Sequence, residues 1–151
     1  MTLEELFGAW RANNIVTQEM LAYCVPSDMD LKPGKGKTIR SNFVHIIAFR
    51  RAWCEAKLKL EAATIPKLDW KTATQEELLR GLEVSSAAML KLFQKLEETS
   101  KPGRWVTLKF FAYAIAHEAN HRAQIELAWR LNGREPEDAF LYALWEWTEK
   151  A

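Results

Sequence analysis

Apolar residues recur every three to four positions in four long stretches of this chain, which is the spacing of amphipathic α-helices. No stretch alternates apolar and polar residues as a half-buried strand does. We therefore predict an all-α protein, an antiparallel four-helix bundle with a short C-terminal fifth helix, in one domain over residues 1–151. The predicted helices span Thr2–Tyr23, Thr38–Ala62, Thr74–Ser100, Thr107–Asn132 and Glu137–Lys150.

Capping residues and helix breakers set the expected helix ends. Thr74 followed three residues later by Glu77 forms a capping box, and Thr107 is the expected N-cap of the fourth long helix. Gly133 stands where a glycine would stop that helix. Two longer connections leave room for a crossover instead of a simple up-and-down order: Val25–Lys37 and Thr64–Ala73.

The helical stripes indicate which side chains form the core. They comprise Leu3, Leu6, Phe7, Trp10, Thr17 and Leu21 in the first helix, and Leu78, Leu82, Met89, Phe93 and Leu96 in the third. Asn13 and Asn14 interrupt the first stripe at its middle. A polar pocket at the bundle centre is one alternative for them, but we expect them to be solvated or locally hydrogen-bonded.

Composition narrows the class of protein. A formal net charge of +1 provides no basic surface that would indicate nucleic-acid binding. The two cysteines, Cys24 and Cys54, lie in apolar surroundings and are expected to be buried free thiols. The longest apolar runs, such as Phe110–Ala116, are too short for a membrane span, and the N-terminus lacks the pattern of a signal peptide. We expect a soluble cytoplasmic protein with no membrane partner.

The three histidines carry the strongest indication of chemistry. His117 and His121 lie one turn apart on one helix face, where side chains approach to about 5–6 Å and can close on one metal ion. His45, in the second helix, is the only other histidine. Three neutral histidines from two helices favour a zinc, nickel, iron or copper site with an open position over calcium or magnesium. The alternative interpretation is that all three are core residues satisfied by hydrogen bonds.

Two short motifs compete with this interpretation. Residues 117–121 match H-E-x-x-H, in which Glu118 would activate water in a zinc peptidase. That function requires a third ligand downstream, for which Glu135 and Glu137 are poor candidates, and usually a sheet edge for the substrate. Separately, residues 36–38 resemble the end of a phosphate-binding loop, but Leu31 replaces the required glycine and no strand precedes it. We expect a solvated turn there.

A family resemblance supports the metal hypothesis. The pattern His117-Glu118-x-x-His121-Arg122-x-Gln124, followed by Arg130-Leu131-x-Gly133-x-x-Pro136, resembles the last core helix of the DinB-like (DinB/YfiT) superfamily. His45, in the Thr38-to-Trp53 helix after a Lys32-Pro33-Gly34 loop, looks like the first metal histidine of that superfamily. Asn120 and Ala123 depart from the His and Gly often found there.

The resemblance implies a function as well as a fold. It implies a four-helix bundle, often a homodimer, that binds a divalent metal through His45, His117 and His121, with zinc or nickel favoured. By analogy with characterised relatives, the chain would be a metal- and thiol-dependent S-transferase or hydrolase-like enzyme that takes a low-molecular-weight thiol and a small electrophile. Tyr113, Gln124 and Arg122 are candidate orienting groups, and no catalytic residue is assigned. A non-catalytic metal-binding or stress-response protein is the alternative, and an HExxH metallopeptidase is less favoured.

Overall fold

The computed structural model describes residues 1–150, and this part of the chain is helical with no strand. The α-helices are α1 Leu3–Tyr23, α2 Ile39–Glu55, α3 Lys59–Thr64, α4 Gln75–Thr99, α5 Val106–Leu131 and α6 Asp138–Ala143. Two short 3-10 helices cover Pro26–Asp30 and Trp147–Glu149. The all-α prediction is confirmed. Over the same residues, none of the helices has both the length and the apolar composition needed to cross a membrane.

Capping explains where several helices begin and end. The hydroxyl of Thr74 accepts a hydrogen bond from the Glu77 N–H at 3.1 Å, and the Glu77 carboxylate accepts one from the Thr74 N–H at 2.9 Å. At the end of α5, Gly133 has a φ of 73°, and the Arg134 N–H donates to the Trp129 carbonyl at 2.8 Å. This is a Schellman ending, in which glycine accommodates the left-handed backbone. The predicted caps at Thr74 and Gly133 are therefore present.

Two predicted helix boundaries were wrong. The second helix ends at Glu55 instead of Ala62, and α3 follows after a break at Leu58, where ψ is 68°. Because this break contains no glycine or proline, we attribute it to packing, since α3 contacts both α2 and α4. The start of α5 is not capped by Thr107, since Trp105 precedes the first turn with a φ of 53°.

The C-terminal segment, predicted as one helix over Glu137–Lys150, is instead α6 and a separate 3-10 turn. The turn brings the ammonium of Lys150 within 2.8 Å of the Glu19 carboxylate of α1. At the other end of the segment, Phe140 stacks on Tyr23 with ring centroids 3.9 Å apart. The break therefore lets the segment lie along α1.

The long helices share one hydrophobic core. Helix α1 packs against α4 and α5, α2 packs against the same two helices, and α4 also contacts α5. All five stripe residues predicted in α4 are buried, whereas Leu3 and Phe7 of the α1 stripe are only half-buried. Trp10 and Phe93 meet edge to face at 5.2 Å between ring centroids.

The connection between α1 and α2 is fastened to the end of α5. The guanidinium of Arg134 donates two hydrogen bonds of 2.8 Å to the buried carboxylate of Asp28, and the Asn132 amide donates to the Lys32 carbonyl at 3.0 Å. The exposed tip that follows leads into Lys37 and the N-cap Thr38, whose hydroxyl accepts from the Ser41 N–H at 3.1 Å. The loop thereby places Lys37 at the start of α2.

Candidate metal centre at the histidine cluster

Helices α2 and α5 bring the three histidines together. The ring centroids of His117 and His121 are 4.6 Å apart, and those of His45 and His121 are 5.5 Å apart with nearly parallel planes. His121 is buried, His117 is half-buried and His45 is exposed. We call these three residues the histidine cluster, and it opens to solvent at His45.

Asn42 fixes the ring orientation of His121. The amide nitrogen of Asn42 lies 3.0 Å from the Thr38 carbonyl and donates to it, so its Oδ1 is the acceptor for His121 Nδ1 at 2.9 Å. His121 must then carry its proton on Nδ1 and present a lone pair at Nε2. This is the arrangement in which a second group orients a metal-binding histidine.

The Nε2 atoms of His117 and His121 face each other at 3.3 Å. Two nitrogen ligands of a tetrahedral ion, with bonds of about 2.0–2.1 Å, lie about 3.3 Å apart. His117 is also stacked on Phe49 at 3.9 Å between centroids, and its buried Nδ1 has no hydrogen-bond partner among residues 1–150. This pair therefore fits a metal ion, although the ring of His117 is only partly satisfied.

The side chain of Lys37 is hydrogen-bonded to Nε2 of His45. Its Nζ lies 2.7 Å from His45 Nε2, and because an ammonium can only donate, this nitrogen of His45 must be the acceptor. A positive charge thus already stands at a ring nitrogen that a metal would use. In keeping with this, no group of three or more His, Cys, Asp or Glu side chains in the described part of the chain is arranged to hold a metal. The three-histidine metal site remains a prediction.

The cluster disfavours the protonated form of every ring. Burial lowers the pKa of His121 to about 4, and the neighbouring His117, His45 and Lys37 contribute in the same direction. Desolvation also lowers the pKa of His45 and His117, with Lys37 adding to both shifts. The imidazoles are therefore neutral at pH 7, which is the form that binds metals.

Glu118 lies in a different environment from the histidines beside it. Its carboxylate is fully buried and accepts two hydrogen bonds from Arg50, at 2.6 and 3.0 Å. Asn13 donates a third at 2.7 Å. A carboxylate held by a buried guanidinium is not poised to activate water, so this geometry argues against the peptidase interpretation of H-E-x-x-H.

The prediction that Asn13 and Asn14 are solvated or locally hydrogen-bonded was wrong. Both are buried and bonded across the core: Asn14 accepts from Arg50 at 2.8 Å, and Asn13 links Glu118 to Arg122. We call the buried polar group around these contacts the ionic cluster; it consists of Asn13, Asn14, Thr17, Arg50, Ser85, Glu118 and Arg122. An inward helix position requires a polar side chain to find a partner, and here the partners come from distant helices.

None of the three candidate orienting groups is hydrogen-bonded to a histidine ring within residues 1–150. Arg122 donates through Nη1 to Asn13 at 2.9 Å and Thr17 at 3.0 Å, both on α1. Tyr113 is half exposed and contacts Phe49, at 5.7 Å between ring centroids. Gln124 is half-buried, and no hydrogen bond joins its side chain to the histidine cluster within residues 1–150.

Sequence reasoning missed Asn42, Lys37 and Phe49 as neighbours of the histidines. Asn42 lies three residues before His45, on the same side of α2, and this spacing could have indicated it. The predicted solvated turn containing Lys37 is exposed, yet its lysine contacts His45. The fold of the preceding loop places this contact, and residue spacing does not encode it.

Comparison with known proteins gives one match. The model of the DinB family matches residues 1–150, nearly the whole chain. Neither the curated proteins nor the solved structures include a significant match.

Proposed function

Because the chain belongs to the DinB family, we propose that it binds a divalent transition metal, zinc or nickel in first place, through His45, His117 and His121. The observation that carries the proposal is the pair of Nε2 atoms 3.3 Å apart, with Asn42 fixing the tautomer of His121. The neutral state of all three rings at pH 7 supports it further.

His45 would join the other two only after Lys37 gives up its contact. The ammonium and a metal ion compete for the same nitrogen, so loading the site releases Lys37 into the exposed mouth of the cluster. There its positive charge can attract an anionic group of a substrate. Lys37 would then position the substrate and take no part in bond making.

As an enzyme, the protein would be a thiol-dependent S-transferase. A bound divalent metal would supply positive charge that lowers the pKa of a thiol. The chain's own thiols are unsuited to the reaction, because burial raises the pKa of Cys24 to about 12 and that of Cys54 to about 11. The nucleophile would therefore be an external low-molecular-weight thiol entering from the exposed side at His45, with a small electrophile as acceptor.

We also propose that the four long helices form an antiparallel bundle in the order α1, α4, α2, α5. Each of the four helices contacts both of its neighbours in that order. The short link between the end of α4 at Thr99 and the start of α5 at Val106 supports opposite directions for these two helices. The exposed Tyr142 and Trp145 are candidates for the homodimer contact that the family resemblance implies.

The metal proposal is tested by the metal content of tag-free protein after loading with zinc or nickel and gel filtration. We expect one ion per chain in the wild type and strong loss in His45→Ala. The control Asn120→Ala changes an exposed side chain between the two α5 histidines and should retain the ion. Unchanged content in His45→Ala would remove that residue from the site, and an empty wild type would leave three core histidines.

Turnover is tested separately. Metal-loaded protein is incubated with glutathione, bacillithiol or mycothiol and a small aryl halide, and release of the halide is followed. Metal-dependent conjugation supports the transferase. A loaded protein without turnover for any thiol would instead be the non-catalytic metal-binding protein, and a peptide substrate set tests the remaining peptidase alternative.

A further inference from the structure

A cavity lies on the side of α5 away from the histidine cluster, facing α1 and the C-terminal segment. Its volume is about 260 Å³. Its lining is mostly apolar, with one arginine and one glutamate: Val16, Met20, Ala119, Arg122, Ala123, Glu126, Leu141, Leu144, Trp145 and Trp147. Since about 150 Å³ holds benzene, the cavity is large enough for one aromatic ring with a short substituent.

Arg122 is the unusual member of this lining. Only 9% of the residue is exposed, and its hydrogen bonds to other residues of the described chain all leave from Nη1. Its Nε and Nη2 have no hydrogen-bond partner within residues 1–150. Neither nitrogen is completely shielded from solvent. Because Arg122 lines the cavity, these two unpartnered donors of a nearly buried guanidinium are the groups that a ligand in the cavity would use.

The charges around Arg122 do not balance. Arg50 and Arg122 share one carboxylate, Glu118, which binds Arg50 at 2.6 Å and lies 3.8 Å from Arg122. The other acid on the wall, Glu126, is paired with Arg130 at 2.8 Å. Glu19, which anchors the C-terminal segment, is paired with Lys150. A buried positive charge with no counter-ion of its own is complementary to an anion.

We propose that this cavity binds a small organic carboxylate with an aromatic or branched apolar body. The carboxylate would accept hydrogen bonds from Nε and Nη2 of Arg122, and the body would lie against Met20, Leu144 and Trp147. A guanidinium offers two parallel donors that match the two oxygens of a carboxylate. The proposal does not depend on the metal, because the histidine cluster contacts α2 whereas this cavity faces α1.

The test uses phenylacetate and its neutral analogue phenylacetamide on the full-length chain, by isothermal titration calorimetry and by the fluorescence of the wall tryptophans. The acid should bind, and the amide should bind about tenfold or more weakly because it lacks the charge. Absence of acid binding at millimolar concentration, or equal affinity for the two compounds, would overturn the proposal.

Location is tested by filling the cavity without touching the ionic cluster. Ala123→Leu places a larger side chain on the cavity wall and should abolish binding of phenylacetate, with the fold checked by circular dichroism. Ala112→Leu makes the same change at an exposed position of α5 outside the cavity and should leave binding unchanged. Binding that survives Ala123→Leu, or that is lost equally in both variants, would place the site elsewhere.

Discussion

The ionic cluster and the histidine cluster are both built on α5, yet they differ in how completely their polar groups are satisfied. In the ionic cluster, the carboxylate of Glu118 accepts three hydrogen bonds, and Arg50 donates from all three of its nitrogens. In the histidine cluster, His117 Nδ1 has no partner within residues 1–150, and His45 is exposed. Around Glu118 and Arg50, the saturated centre of the ionic cluster holds the helices together. The histidine cluster, like the unpartnered donors of Arg122 at the edge of the ionic cluster, retains capacity for a ligand.

The largest expected effect follows from Glu118→Gln, which keeps the shape of the ionic cluster but leaves Arg50 and Arg122 without their anion. Breaking a buried ion pair costs about 3–5 kcal/mol, and urea unfolding should show a loss of free energy of unfolding in that range. The control Glu126→Gln breaks an ion pair at the surface and should cost at most about 1 kcal/mol. Equal losses in the two variants would mean that the ionic cluster is no more structural than the surface.

The next largest effect is a pH dependence of the free energy of unfolding that arises from the histidine cluster. The pKa of His121 is about 4 in the folded chain and about 6.5 when unfolded. Between these values the unfolded chain binds more protons, so stability is full above pH 6.5 and falls as the pH drops toward 4. At about 1.4 kcal/mol per pKa unit, the full shift corresponds to roughly 3 kcal/mol, measured by urea unfolding of chelator-treated protein.

A His121→Gln variant is the control for this pH dependence. It cannot titrate, so its free energy of unfolding should fall less over the same range. An identical pH dependence in both proteins would show that His121 is not the group responsible.

The third effect concerns Asn42, which touches the histidine cluster without being a proposed ligand. Loss of a group that orients a metal histidine typically reduces metal affinity about 10–100-fold, and we expect this for Asn42→Ala in a zinc competition titration. Ser41→Ala, a neighbouring buried position on α2, should bind zinc as the wild type does. Unchanged zinc affinity in Asn42→Ala would mean that the hydrogen bond from Asn42 does not orient the ring of His121 for metal binding.

The smallest effect is expected at Lys37. Removing its ammonium in Lys37→Gln eliminates the competitor at His45, so zinc should bind about two- to fivefold more tightly, a modest change because the lysine is exposed. Lys35→Gln removes a charge from the same loop and should have a smaller influence. Weaker zinc binding in Lys37→Gln would indicate that the lysine assists the site.

Local rules predicted much of the fold. The capping box at Thr74 and the glycine at 133 are each formed by residues close in the chain, and both are present. The break near Leu58 lacks any such local cause, because it depends on α3 contacting α2 and α4. The break in the C-terminal segment likewise depends on tertiary contacts, those that the segment makes with α1.

The ionic cluster was beyond sequence reasoning because its members lie far apart in the chain. Asn13 and Glu118 are 105 residues apart, and Arg50 and Glu118 are 68 apart. One signal was available: Arg50 occupies the inward stripe of α2, with Ile46, Ile47 and Cys54, where a charge requires a buried partner. The histidines were easier to recognise, because two of them lie one helical turn apart.

The attachment of the α1–α2 connection has an evolutionary consequence. Arg134 and Asn132 hold its first half, while residues 34–36 form an exposed tip just before Lys37. Because the tip is exposed, its length and composition can change while the interior and the helix ends stay the same. Such changes would alter whether a charged side chain such as Lys37 contacts His45, and with it the ligands that the proposed site prefers, on the same helical scaffold.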